Sequence, residues 1–118
     1  MDIPKIVKFW RKHGYYDVSI PALWSVIEKH IEYNTLLVEE IEDEIIGICR
    51  FNIDGFICTA LDVVIKPEYR NKRLLKLFII KGLQRFPLIK ILRFERGIRH
   101  TRFKDYDIYK FLGIKRKD

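Results

Sequence analysis

The run from residue 56 to residue 83 restricts the possible folds of this chain more than any other segment. A stretch rich in Val and Ile stops just before Pro67, and proline cannot donate a ladder hydrogen bond, so it ends a strand. Residues 72–83 then carry apolar side chains around much of a helical circumference, as expected for a helix that lies across a sheet. A strand that leads through a proline turn into such a helix predicts a layered structure of sheet and helix.

Two amphipathic helices are predicted before this run. In residues 3–13 the apolar side chains recur at helical spacing, Asp2 can cap the first turn, and Gly14 can end the helix. Residues 20–31 repeat the pattern, with Ser19 as the cap and Pro21 in the first turn, where a missing N–H costs little.

The remaining segments predict strands and one short helix. Residues 35–41 and 44–52 favour strands joined by a tight turn, and Asp54-Gly55 predicts a second hairpin turn before a strand at 56–65. Residues 88–95 are interpreted as a fourth strand, residues 96–104 as a basic turn, and residues 105–112 as a short helix that ends at Gly113. The predicted order is therefore ααβββαβα, an α+β (mixed α/β) class in a single domain over residues 1–118.

Composition excludes several classes of protein. No window approaches the ~18 uninterrupted apolar residues of a membrane span, and no secretion signal opens the chain, so we expect an intracellular protein with no membrane partner. Two cysteines cannot form a disulfide framework. His13, His30 and His100 do not have the spacing of metal ligands, so no metal site is predicted.

The net charge of +7 is distributed unevenly along the chain. It is −5 over residues 1–62 and +12 over residues 63–118. A basic half of this kind suits nucleic acid or an acidic protein partner, although a solvated basic face explains it equally well. The candidate contact residues, which alternate with aromatic side chains, are Arg93, Arg96, Arg99, Arg102 and Lys104.

Three segments in order carry a family resemblance. Residues 62–79 resemble the acetyl-CoA-binding motif of the GNAT superfamily of N-acetyltransferases, in which a strand ends in a Val-x-Pro-x-x-Arg pattern and a turn leads into a helix. Residues 108–114 resemble a later helix of that family, and residues 2–10 resemble its first helix. The resemblance implies a GNAT-like fold, an antiparallel meander followed by a βαβ-type unit.

The resemblance also implies a site. In the family, backbone N–H groups and a helix N-terminus face the pyrophosphate of coenzyme A. By position, the cofactor-binding residues would be Val64, Ile65, Arg70, Lys72, Arg73, Leu74 and Leu75. Tyr109 matches the family's general acid, and Asp62 is the best candidate for the base. The alternatives are a core tyrosine beside Phe111 and a solvent-facing strand residue.

The chain departs from the family pattern where the cofactor would bind. Arg73 and Leu75 stand at positions where the family has small residues that let the backbone approach the phosphates. The family's opening strand is expected to be missing or reduced, and its final strand would have to follow Gly113.

These departures predict a degenerate acetyl-CoA loop and a non-catalytic binding or structural module that needs no cofactor. It would resemble the short acetyltransferase-like proteins of tailed-phage virions, with a protein partner in an assembly, in the cytoplasm or within a virion. One alternative is an active acetyl-CoA-dependent N-acetyltransferase. Another is a nucleic-acid-binding module that uses the basic C-terminal half.

Overall fold

The computed structural model describes residues 2–14, 17–96 and 102–115. Within these ranges a five-stranded sheet has helices packed on both faces. None of the described helices has the length and apolar character that crossing a membrane requires. In chain order the elements are α1 (Ile3–His13), α2 (Ile20–Glu32), β1 (Leu36–Ile41), β2 (Glu44–Asp54), β3 (Ile57–Ile65), a 3-10 turn (Pro67–Tyr69), α3 (Lys72–Arg85), β4 (Ile91–Arg96), β5 (Arg102–Asp107) and α4 (Ile108–Leu112).

Each described helix begins at a side chain that accepts hydrogen bonds from its own first turn. Asp2 accepts from Lys5 N, and Ser19 accepts from Ala22 N, so both predicted caps are confirmed. Asn71 and Asp107 serve α3 and α4 in the same way. These contacts satisfy N–H groups that have no partner within the helix.

The sheet confirms the predicted fold class. Strands β1, β2 and β3 form an antiparallel meander, β3 and β4 are parallel, and β4 and β5 are antiparallel, in the order β1-β2-β3-β4-β5. Helix α3 connects the parallel pair, which makes the predicted βαβ-type unit. Helices α1 and α2 cover one face of the sheet, and α3 and α4 cover the other.

Strand β5 corrects the predicted order of elements. Residues 102–104 lie in a strand and not in a turn, and the short helix begins at Ile108 and not near residue 105. The last described strand therefore precedes α4, and the described residues after Gly113, 114 and 115, are not in a strand. The physical reason is cross-strand pairing, because Asp105 lies opposite Arg93 and bonds to it, and Tyr106 packs edge-on against Phe94.

A bulge in β3 determines which side chains of this strand point to which face of the sheet. Arg50 of β2 pairs with Asp62, but the next residue, Phe51, pairs with Ala60, so Leu61 is the extra residue. Val63 and Ile65 consequently face α3, whereas Asp62 and Val64 face α1 and α2.

The sheet opens just beyond this bulge. Residues 57–60 of β3 pair with residues 91–94 of β4, but residues 61–65 have no partner in β4. The two parallel strands therefore separate at the end of β3, next to the first turn of α3.

Candidate functional site

A cleft of about 470 Å³ occupies the place where β3 and β4 separate. It lies between the end of β3, the first turn of α3 and the end of β4. Apolar side chains form its floor, and two cations and an amide lie at the turn. The lining residues are Val63, Ile65, Arg70, Asn71, Lys72, Leu75 and Phe94. A molecule that is partly apolar and partly anionic suits such a lining.

The polar groups at the start of α3 already have partners within the chain. The side-chain oxygen of Asn71 accepts hydrogen bonds from Arg73 N at 2.9 Å and Leu74 N at 3.2 Å. The Nε of Arg70 donates to the carbonyl oxygen of Ile65 at 2.9 Å. An anion could bind these N–H groups only by displacing the Asn71 cap.

Four of the seven predicted cofactor residues line the cleft. They are Ile65, Arg70, Lys72 and Leu75. Leu75 is half-buried there and fills space that a small residue would leave to a ligand. Coenzyme A therefore fits poorly, because its pyrophosphate would meet a satisfied helix N-terminus beside a bulky side chain.

The other three predicted cofactor residues lie elsewhere. Arg73 is exposed on α3 and its side chain does not line the cleft, so it leaves the space open. Leu74 is buried against Gly47 of β2. Val64 is buried on the opposite face of the sheet, among residues of α1 and α2, because the Leu61 bulge turns it away.

Sequence reasoning missed three lining residues. Asn71 could have been recognised, because asparagine immediately before a helix is a common cap. Val63 depends on the bulge, and Phe94 depends on the register of a parallel strand pair, and neither leaves a local signal in the sequence.

A small apolar cavity lies behind the cleft. Its volume of about 20 Å³ would hold about one water molecule, but it offers almost no polar partner. Val63, Leu75 and Phe94 line both spaces and separate them. Cys49 and Cys58 also line the cavity, where burial raises the pKa of Cys58 to about 12 and that of Cys49 further. Both thiols are therefore protonated and unreactive in the folded protein.

Asp62 belongs to a polar network on the α1–α2 side of the sheet. Its carboxylate accepts from Arg50 Nε at 2.7 Å, and that guanidinium also lies 5.9 Å from the ring centroid of Trp10. Arg50 Nη1 approaches His30 Nε2 at 3.4 Å, and His30 Nδ1 lies 2.7 Å from the Thr35 hydroxyl. Burial, and then the charge of Arg50, lower the pKa of His30. A neutral imidazole that donates through Nδ1 and accepts through Nε2 satisfies these contacts.

The two predicted catalytic residues are not brought together. Asp62 lies in the α1–α2 layer, whereas Tyr109 is half-buried against the core on the α3–α4 side, so the sheet separates them. Neither side chain lines the cleft. Among the described residues, none that lines it is a carboxylic acid, histidine, tyrosine or cysteine.

The basic C-terminal stretch is only partly described. Arg93 makes two hydrogen bonds to Asp105, at 2.7 Å and 2.9 Å, and this ion pair raises the pKa of Arg93. Lys104 Nζ lies 5.4 Å from the ring centroid of Tyr106. Arg99 and the side chains of Arg96 and Arg102 lie outside the described residues. In the described part of the chain, no three potential ligands gather into a metal site.

Comparison with solved structures identifies the fold. PaiA N-acetyltransferase from Thermoplasma acidophilum, solved with coenzyme A, matches 85% of this chain and 76% of its own length at 16% identity and a TM-score of 0.61. YhbS, a GNAT family N-acetyltransferase from Escherichia coli, was also solved with coenzyme A. The match covers 94% of this chain and 78% of YhbS, at 14% identity and a TM-score of 0.58. This chain has a GNAT fold.

The likeness to GNAT proteins is one of fold. A candidate acetyltransferase from Pyrococcus horikoshii has a TM-score of 0.65 at 14% identity, and the match covers 83% of this chain but only 36% of that longer one. No protein-family model and no curated protein sequence matches the chain. The comparisons therefore establish the GNAT architecture and not an activity.

Proposed function

We propose that this chain is a GNAT-fold binding module that does not transfer acetyl groups. The observation that carries the proposal is the chemistry of the cleft. Its described lining offers two cations, an amide and an apolar floor. Acetyl transfer to an amine needs a group that accepts the proton of the amine, and none of the described side chains that line the cleft is a carboxylate, histidine, tyrosine or cysteine.

Two further features support a non-catalytic role. The Asn71 side chain already accepts hydrogen bonds from two N–H groups at the start of α3, those of Arg73 and Leu74. The Asp62 carboxylate, which is the base implied by the family resemblance, is paired with Arg50 in the other layer. A module of this kind would act through a protein partner in an assembly, such as a tailed-phage virion, and would need no cofactor.

An active acetyl-CoA-dependent N-acetyltransferase is the second candidate. The open cleft between β3 and β4, with Arg70 and Lys72 at its edge, favours it. The similar PaiA and YhbS structures were both solved with coenzyme A. In that case Tyr109 would be the general acid and Asp62 the base, so both Y109F and D62N would lower kcat.

Calorimetric titration of acetyl-CoA distinguishes the two candidates. For the wild-type chain we expect no affinity tighter than about millimolar and no rise in Tm. The variant R73G/L75G restores the two small positions of the family motif, and N71G additionally frees the helix N-terminus. We expect measurable affinity, because L75G opens the cleft and N71G frees the Arg73 and Leu74 N–H groups, whereas R73G alone should change little.

Turnover is measured in parallel as release of free coenzyme A in the presence of simple amines and amino-terminal peptides. Micromolar binding together with amine-dependent release by the wild-type chain would overturn the non-catalytic proposal. Binding without release would leave the module as a sensor or carrier of coenzyme A. Nucleic-acid binding by the basic C-terminal half stays a prediction, and a salt-dependent gel shift tests it.

A further inference from the structure

We propose that two copies of this chain associate through a basic groove beside α1, which receives the acidic β1–β2 turn of the second copy. The groove has a volume of about 260 Å³ and runs between α1 and the start of β2. Phe9 and Ile45 form its apolar floor. Four lysines line it, namely Lys5, Lys8, Lys12 and Lys66, together with His13 and the carboxylate of Glu44.

Two of these cations remain available to a partner. Lys66 bonds to Glu44 at 2.6 Å, and Lys5 bonds to the carbonyl oxygen of Asp43. Lys8 and Lys12 lie one helical turn apart on α1, and neither makes an ion pair with a described carboxylate. Lys66 has the largest effect in lowering the pKa of Glu44, and the charge of Lys12 contributes to the same shift.

The helix macrodipole does not explain this arrangement. It favours cations in the last turn of a helix, which accounts for Lys12 and His13 but not for Lys8 in the middle of α1. Lys66 reaches the same groove from the end of β3. Charges from two separate segments therefore converge on one surface.

His13 lines the groove among several positive charges. Partial burial lowers its pKa, and the neighbouring charges of Lys12, Lys66 and Arg70 lower it further. The acidic side chain of Glu68 opposes them only in part. A carboxylate that entered the groove would offset this field, and the His13 pKa would rise on binding.

The complementary surface lies on the same molecule, beside the groove. Glu42 and Asp43 form the two-residue turn between β1 and β2, both with left-handed φ angles, and both side chains are exposed. Ile41, next to the turn, is 44% exposed. The turn adjoins the groove because Lys5 Nζ donates to the Asp43 carbonyl.

A positive and a negative patch side by side suit a twofold axis. Rotation about an axis between them lays each turn into the groove of the other copy, so that one contact is made twice. A nucleic acid fits less well, because it carries a phosphate at every nucleotide and would meet the carboxylates of the adjacent turn. A second copy brings two carboxylates and an apolar side chain, which match Lys8, Lys12 and the Phe9 floor.

Charge reversal tests the pairing. Sedimentation velocity over a concentration series is run on the wild type, K8E/K12E, E42K/D43K and an equimolar mixture of the two variants. The wild type should self-associate, and association should weaken as NaCl rises from about 0.05 M to about 0.5 M. Each variant alone should raise the apparent dissociation constant at least about tenfold, because every contact becomes repulsive. The mixture should recover association, since each acidic turn again meets a basic groove.

Matched controls carry the same charge changes elsewhere. K29E/K110E and E28K/E32K alter exposed residues of other surfaces and should leave self-association unchanged. If a reversed variant melts early, the neutral variants K8Q/K12Q and E42Q/D43N replace it, with a smaller effect in the same direction.

Several outcomes would overturn the proposal. A wild type that stays monomeric at about millimolar concentration, or folded variants whose mixture does not recover association, would refute it. The proposal would also be refuted if the chain stayed monomeric and its groove bound a hexaglutamate peptide or an oligonucleotide. NMR titration of His13 would detect that binding. The test does not involve acetyl-CoA, so its result is independent of the proposed function.

Discussion

At the scale of single residues, the Arg50–Asp62 pair is the most consequential contact. It lies at the Leu61 bulge and holds a carboxylate that is only 7% exposed. We expect D62A to lower the free energy of unfolding by about 2–3 kcal/mol, because the partly buried guanidinium of Arg50 loses its carboxylate partner. The double variant R50M/D62L should lower the free energy of unfolding much less, since it buries no charge. Urea denaturation measures both.

The exposed Arg93–Asp105 pair provides a control for this prediction. It joins the same residue types across neighbouring strands, but in solvent, so D105A should change stability little. Equal losses of unfolding free energy for D62A and D105A would show that burial of the Asp62 carboxylate does not strengthen its ion pair. If D62N instead kept full stability and abolished an acetyl transfer, Asp62 would be a catalytic base.

His30 gives the same network a pH dependence. Its pKa in the folded protein is lowered from 6.5, first by burial and then by Arg50, with Lys29 adding to the effect and Asp62 and Thr35 opposing it. The unfolded chain therefore binds more protons just below pH 6.5, so stability falls as the pH falls below about 6.5. H30Q should flatten this part of the stability curve relative to the wild type. An unchanged slope would show that His30 is not the titrating group.

At the scale of elements, α3 depends on a close approach to the sheet at Gly47. A Cβ at this position would lie 3.1 Å from both Leu74 Cδ2 and Phe78 Cζ. We expect G47A to lower the free energy of unfolding by about 1–3 kcal/mol through overpacking. G82A is the matched control, because a Cβ at Gly82 of α3 meets nothing within 4 Å and alanine favours a helix. A destabilised G82A, or a neutral G47A, would contradict this packing.

Most elements could be predicted because their signals are local. Helices α1 and α2 have caps and regular apolar spacing, and Pro67 separates β3 from α3. Strand β5 could not be predicted in this way, because its stability comes from pairing with β4. Its partners are distant in sequence: Asp105 bonds to Arg93, twelve residues earlier.

The candidate site was predictable to a similar extent. The motif resemblance led to Arg70, Lys72 and Leu75, which line the cleft. It also named Val64, which the Leu61 bulge turns to the opposite face. A single inserted residue therefore decides which side chains of β3 reach a ligand, and a bulge leaves no periodic signal in the sequence.

At the scale of the whole molecule, charge along the chain is a poor guide to charge in space. Residues 1–62 carry a net −5, yet they supply Lys5, Lys8 and Lys12 to the basic groove, where Lys66 from the other half joins them. The fold thus places basic and acidic surfaces side by side at one end of the sheet, and this arrangement underlies the proposed self-association.

The two layers that flank the sheet carry separate natural probes of unfolding. Both tryptophans of the chain, Trp10 and Trp24, pack in the α1–α2 layer, whereas Cys49 and Cys58 lie in the core beneath α3. Because strands β1, β2 and β3 contribute side chains to the cores on both faces of the sheet, we expect one cooperative transition. Tryptophan fluorescence and thiol labelling should then give the same urea midpoint, since burial keeps the thiols unreactive until α3 detaches. Labelling at lower urea than the loss of fluorescence would show that the α3 layer unfolds on its own and that the sheet does not couple the two cores.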